Sequence, residues 1–248
     1  VTVVVDVGNT YVKWARLRDG GLADIGTARL TSDAPLASLR EQCGAALERI
    51  VAANVAGASV DAALGELARD TGAALTLVTP ATEQYGVRCA YADPSRLGAD
   101  RWVGVVAAHR LIRGPVCVID AGTTVTLDAV AATGEHLGGL ILAGPGIIAA
   151  ALDRSTRGIG PTARARQAAT GLSLLGRDTD TAVAHGAMLG IAAALDRAIA
   201  AITAACDQRP TVVLTGGGAD ALVPWLETEV SFRPHFILEG LAQIAALT

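Results

Sequence analysis

Asp6-Val7-Gly8-Asn9-Thr10 and Asp120-Ala121-Gly122-Thr123-Thr124 share the pattern D-x-G-x-T, 114 positions apart. Each copy sits in the same local frame. The β-branched run Thr2–Asp6 precedes the first, a strand candidate from Tyr11 to Leu17 follows it, and Asp19-Gly20-Gly21 turns the chain into a third, Leu22–Ala28. The second copy follows the run Val116–Ile119 and leads into Val125–Ala131. It then returns through Thr133-Gly134 to Leu137–Leu142. Short β-branched runs separated by glycine turns predict a strand meander in each half. One such pentapeptide is within reach of chance. Two copies in one frame point to an internal duplication.

The elements after each meander also correspond. In the first half we expect a helix over Pro35–Leu47, a strand at Ile50–Asn54, a helix over Ser59–Asp70, a strand at Leu75–Val78 and a long helix over Ala99–Arg113. In the second half a helix starts at Ile147–Asp153, and a long alanine-rich one runs Thr181–Cys206. Strand Thr211–Leu214, helix Ala219–Leu226, strand Phe236–Leu238 and a final helix Gly240–Leu247 complete the chain. Meanders followed by alternating helices and strands predict an α/β protein with mixed sheets flanked by helices. The expected domains are 1–113 and 114–248, divided near Arg113–Pro115. Ser155–Gly176, rich in Arg, Gly and Thr, reads as a loop or flap.

Composition narrows the function classes. The 248 residues are 51% hydrophobic, too apolar for disorder. The net charge is −4, and Lys13 is the only lysine among 20 basic residues, against a nucleic-acid binder that works by neutralising phosphates. The uncharged run Leu137–Leu152 holds Pro145 and four glycines and falls short of the roughly 20 residues of a spanning helix, so no membrane role is expected. No basic segment precedes an apolar core as in a secretory signal. Cys43, Cys89, Cys117 and Cys206 show no C-x-x-C spacing and read as free thiols in a reducing cytoplasm. His109, His136, His185 and His235 are scattered, and none reads as catalytic.

A strand that turns sharply at glycine exposes backbone N–H groups at the bend. Gly8 and Gly122 allow positive φ and close approach of a ligand. Asn9, Thr10, Thr123 and Thr124 add side-chain donors, a nest suited to phosphate oxygens. Asp6 and Asp120, at the strand ends, can hold a hydrated cation that bridges those oxygens. Two such loops facing a common cleft would grip a triphosphate. Taken singly, each is an ordinary tight turn. Thr215-Gly216-Gly217-Gly218-Ala219, at a strand-to-helix junction, lets a flat adenine or ribose lie against backbone.

D-x-G-x-T twice and a later T-G-G-G resemble the sugar kinase, actin and heat-shock chaperone superfamily. That resemblance implies two tandem ribonuclease-H-like (actin-like ATPase) domains with five-stranded mixed sheets and a cleft. More narrowly, the chain resembles the type III pantothenate kinases, also called the Bvg accessory factor family. The matching stretches are Asp6–Thr10 with Lys13, Tyr91, Asp93 through Trp102, Ile119–Thr124 with Thr126 and Asp128, Gly138–Ile141 with Pro145-Gly146, Thr181 with Gly186 and Gly190, and Thr215–Gly217. They run in order over nearly the whole chain, and Leu97-Gly98-Ala99-Asp100-Arg101 is the most specific.

The resemblance implies ATP-dependent phosphorylation of pantothenate to 4'-phosphopantothenate, the first step towards coenzyme A. Phosphoryl transfer needs aligned oxygens, charge neutralisation and a group to take the hydroxyl proton. Asp100 matches the family's general base; by position alone it caps the helix it opens. Arg101 matches the group that grips the pantothenate carboxylate, a task for a guanidinium fork; by itself it is one surface arginine of many. Tyr91, Gly98, Ala99 and Thr181 match the other substrate contacts, although Tyr91 could equally be a cleft wall and Thr181 a helix cap. Asp6, Val7, Gly8, Asn9, Thr10, Tyr11, Val12, Lys13 and Thr123 match the ATP-binding residues. On its strand, Lys13 shares a face with Tyr11 and Ala15, opposite Val12 and Trp14, and a solvated lysine is the other reading. Asp120 matches the ligand of a monovalent cation, potassium or ammonium, required beside ATP with magnesium. The family's members are homodimers with the substrate pocket at the interface. Two alternatives remain at this level: another small-molecule kinase or phosphohydrolase of the superfamily, and a non-catalytic regulatory accessory protein.

Overall fold

A computed structural model describes residues 1–31, 36–43, 47–156 and 171–248. Two units form. One joins Val1–Ile112 with Gly134–His136 and His235–Thr248; the other joins Arg113–Thr133 with Leu137–Pro234.

In the first unit, β1 (Thr2–Val7), β2 (Tyr11–Arg18) and β3 (Gly21–Arg29) make the expected meander. Helix α1 (Ala37–Cys43), strand β4 (Arg49–Asn54), helix α2 (Ala58–Thr71) and strand β5 (Ala74–Leu77) come next. The sheet order is β3-β2-β1-β4-β5, with only β2 antiparallel to its neighbours. A hairpin of β6 (Glu83–Gln84) and β7 (Val87–Arg88) precedes α3 (Ala99–Leu111). Alternation assigns the faces. Val3, Val5, Val7, Val12 and Trp14 are buried with Ile50, Leu64 and Leu67 on the α2 side. Asp6 and Lys13 therefore share the opposite face, and the β1–β2 register sets them side by side. Arg101 through Ala108 of α3 are all buried, and a helix buried on every side carries no amphipathic stripe.

The second unit repeats the plan with β8 (Val116–Ala121), β9 (Thr124–Val130), β10 (His136–Ala143), α4 (Pro145–Ser155), α5 (Thr179–Cys206), β11 (Thr211–Thr215), α6 (Ala219–Leu222) and β12 (Ser231–Phe232). Its order, β10-β9-β8-β11-β12, is the first order again. This is the ribonuclease-H-like arrangement, twice. Cys117, Ile119, Val125 and Leu127 face a stripe of α5 made by Met188, Ile191, Leu195 and Ile199, whose spacing is one helical face. Among the described residues, α5 is the one helix long and apolar enough to cross a membrane by length and composition; this stripe packs one face of it on the second sheet, while most of the helix is not buried.

The C-terminal region departs from the sequence expectation. Phe236–Leu238 is not a strand. It opens helix α7 (Phe236–Ala245), and the last strand is the exposed pair Ser231–Phe232. Three adjacent apolar residues carry no period, whereas Phe236, Gly240, Leu241, Ile244 and Ala245 form one buried face. That face belongs to the first unit, not to the 114–248 half. At its closest point, a side chain on Gly240 would come 2.8 Å from Val103 Cγ1 and 2.9 Å from Ala107 Cβ of α3. The expected helix over Pro35–Leu47 is seen as α1, with residues 32–35 and 44–46 outside the described residues. The expected flap falls mostly on residues 157–170, also outside them.

Candidate active site

The first D-x-G-x-T loop closes a four-residue connection. Val7 and Val12 form the last pair of the hairpin, and the Gly8 N–H donates to the Tyr11 carbonyl at 3.0 Å. Neither Gly8 nor Gly122 adopts positive φ, contrary to expectation. A Cβ on Gly8 would stand 3.5 Å from the Tyr11 oxygen, an ordinary contact. Asn9 and Tyr11 are exposed, while Asp6, Thr10 and Lys13 are partly buried.

The neighbouring strand end supports this loop. The Val55 N–H donates to the Val7 carbonyl at 3.0 Å. Asn54 organises the turn into α2, accepting from the Ala56 N–H at 2.8 Å and donating to the Gly57 carbonyl at 2.9 Å and to Asp61 Oδ1 at 2.8 Å. Gly98 lies against Val55: a Cβ there would be 3.7 Å from Val55 Cγ1 and 2.6 Å from Asp100 Oδ1. The start of α3 thus stands at the carboxyl edge of the parallel strands β1 and β4, where open α/β sheets place ligands. Gly98 is the N-cap of α3, with no side chain capping it. Asp100 does not cap the helix. Its Oδ1 accepts the Arg101 N–H at 2.7 Å inside the first turn.

Arg101 is buried, which removes the surface-arginine alternative. Its Nη1 donates to the Tyr91 hydroxyl at 3.0 Å, and the guanidinium carbon lies 5.8 Å from the centre of the Tyr91 ring. Asp93 anchors the intervening turn, accepting from the Ser95 N–H at 3.1 Å and hydroxyl at 2.6 Å. Tyr91, Gly98, Ala99, Asp100 and Arg101 are therefore one local cluster in the first unit.

The second loop is one residue tighter. Ala121 pairs with Val125, and the Gly122 N–H donates to the Thr124 carbonyl at 2.9 Å. Gly122, Thr123 and Thr124 are exposed. The glycine junction after β11 braces this loop. The Gly218 N–H donates to the Ala121 carbonyl at 2.7 Å, and Gly216, at φ 95°, lies so close to Asp120 that a Cβ would overlap Oδ1 and the Ala121 carbonyl. On another side, a Cβ on Gly144 would overlap the Thr123 carbonyl. Opposite Asp120 in the register stand Thr126 and Thr215.

Thr181 also lies in the second unit. It does not cap α5; Asp178 does, accepting the Thr181 N–H at 2.8 Å and hydroxyl at 2.9 Å. Those two bonds, the backbone one first, hold the Asp178 carboxyl below its usual value. The Cys117 thiol, by contrast, is pushed up to about 12 by burial and is inert.

Among the described residues no group of three or more His, Cys, Asp or Glu side chains could hold a metal ion. Sequence reasoning missed His136, buried against Tyr91, and the brace at Gly144. A single histidine has no period, and glycine before proline signals a helix start more often than a contact.

Comparison with known proteins accords with this geometry. Residues 2–201 match the type III pantothenate kinase family. A relative of that name from Nitrosococcus oceani is 36% identical over 98% of this chain and 93% of its own length. Another from Azoarcus is 35% identical over 98% and 90%. A solved Campylobacter jejuni structure described as Baf family superposes with a TM-score of 0.63, at 20% identity, over 99% of this chain and 98% of that one; it speaks for the fold. The chain belongs to the type III pantothenate kinase family.

Proposed function

We propose that the chain transfers the γ-phosphoryl group of ATP to the primary hydroxyl of pantothenate, with Asp100 as the general base. The observation that carries this reading is the cluster at the start of α3. There a carboxylate that does not cap the helix sits one residue before a buried arginine held by Tyr91. Arg101 grips the pantothenate carboxylate with its fork. Tyr91, Gly98 and Ala99 shape that end of the site, and Thr181 adds a hydroxyl contact. Asp100 takes the hydroxyl proton, which leaves late in a loose transition state, so an ordinary carboxylate suffices.

The loop Asp6–Lys13 and Thr123 take the ATP phosphates. Asp6 would order the waters of a magnesium ion carried on the nucleotide, which would supply charge neutralisation at the transferred group. Asp120, with threonines rather than acids opposite it, suits a potassium or ammonium ion more than a divalent one. An ATP-consuming enzyme with free Cys89, Cys117 and Cys206 fits the cytoplasm.

A homodimer is part of the same reading. Leu189 of α5 and Leu140, Ile141 and Ile147 are exposed beside an apolar groove of about 590 Å³ lined by Leu142, Ile148, Leu152, Val183 and Ile191. A second copy would cover this face, and a monomer by light scattering at micromolar concentration would contradict it.

Asp100→Asn is expected to lower kcat at least about 10²-fold while both KM values stay near those of the parent. Unchanged turnover would move the base elsewhere. ATP turnover that depends on a sugar and ignores pantothenate would overturn the substrate.

A further inference from the structure

We infer that His136 is a positioning residue for the pantothenate carboxylate, acting through Tyr91 on Arg101. This rests on Arg101 being the group that grips that carboxylate, as in the proposed function.

His136 opens β10 but belongs with the first unit and is only 1% exposed. The short strip that carries it is tied to the chain leading to Tyr91. The Arg88 N–H donates to the Gly134 carbonyl at 3.0 Å, and Arg88 Nη2 meets Glu135 Oε1 at 2.9 Å. The histidine ring also meets this segment directly. Its Nδ1 accepts the Ala90 N–H at 3.4 Å, and its plane lies 16° from that of Tyr91 with centroids 6.2 Å apart, an offset stack.

The ring therefore fixes both the backbone just before Tyr91 and the tilt of the Tyr91 ring. Tyr91 passes that order on, because its hydroxyl is the acceptor for Arg101 Nη1. A guanidinium grips a carboxylate in two places only when its plane is set beforehand. An arginine whose acceptor can swing must recover that orientation at each binding event, and the loss falls on the ligand it holds. His136 touches neither the hydroxyl that reacts nor ATP in this scheme, so its removal acts on one substrate and not on the chemical step.

The test compares His136→Leu, His136→Phe and Arg101→Ala. His136→Leu is expected to raise the pantothenate KM about tenfold, with kcat and the ATP KM within about threefold of the parent. His136→Phe keeps the stack and loses only the acceptor, so it recovers most of that loss; it also serves if His136→Leu fails to fold. A neutral analogue with hydroxymethyl in place of the carboxylate should inhibit all three variants and the parent with about the same constant. A tenfold rise in Arg101→Ala with none in either histidine variant overturns the positioning role. So does a parallel fall of kcat and both affinities in the histidine variants, which would mark simple packing. If Arg101→Ala also leaves the pantothenate KM alone, the carboxylate reading fails and this inference falls with it.

Discussion

The two D-x-G-x-T loops stand at the same place in two copies of one sheet, yet their aspartates have different neighbours. In the first, the residue opposite the aspartate is Lys13; in the second it is Thr126. A strand register puts opposite side chains about 4.5–5.5 Å apart at Cβ. Asp6 thus has a fixed positive charge beside it, whereas Asp120 has hydroxyls and glycine backbone. The surroundings differ in the same sense. The first loop is open around Gly8, while the second is held by Gly144, Gly216 and Gly218. Duplication supplied two glycine turns with the same pattern. Divergence placed a lysine opposite one aspartate, and threonines and a glycine brace around the other.

The sharpest way to break this comparison is to exchange the cations. Lys13→Met is expected to lower kcat/KM for ATP by about 10²–10³-fold, the scale of losing one preorganised charge at the reacting phosphates. No concentration of potassium should restore it. Asp120→Asn should instead abolish the response of the rate to potassium while the lysine continues to serve the nucleotide. Steady-state kinetics across a potassium series read both. A Lys13→Met enzyme with parental kinetics would leave Lys13 a solvated strand residue and remove the asymmetry.

The part of this design visible in the sequence is the part written in short periods. Thr2–Asp6 and Val116–Ile119 announce buried strands, and the pentapeptides mark their ends, so both hairpins and the loop residues are legible. Asp93–Arg101 is legible only through its likeness to a family, since nothing in its spacing says that Arg101 is buried. Phe236–Leu238 misleads because three apolar residues in a row satisfy a strand or a buried helix equally; the helix is decided by the packing of α7 on α3 and β1 of a distant part of the chain. Asp178 outcompetes Thr181 for the cap because the helix starts two residues early, a margin that propensity does not resolve. His136 is invisible for a plainer reason: its value lies in Tyr91 and Ala90, some 46 positions away.

A smaller effect separates the loops by stability instead of rate. Gly216→Ala puts a methyl onto Asp120 Oδ1 and the Ala121 carbonyl and asks a non-glycine residue to hold φ 95°. Backbone strain of this kind costs about 1–3 kcal/mol, and the collision adds to it, because Asp120 and the β8 backbone cannot retreat without losing the Gly218 bond to Ala121. Gly8→Ala meets nothing nearer than the Tyr11 oxygen at 3.5 Å, an ordinary contact, and Gly8 is not in a left-handed conformation. Its cost should stay within about 0.5 kcal/mol, as for substitutions away from special features. For a chain of this size the first change is expected to lower Tm by several degrees and the second by about a degree or less. Thermal unfolding of the two variants side by side measures the difference directly. Equal shifts would mean that the second loop is no more tightly held than the first, and that the glycine brace does not distinguish the copies.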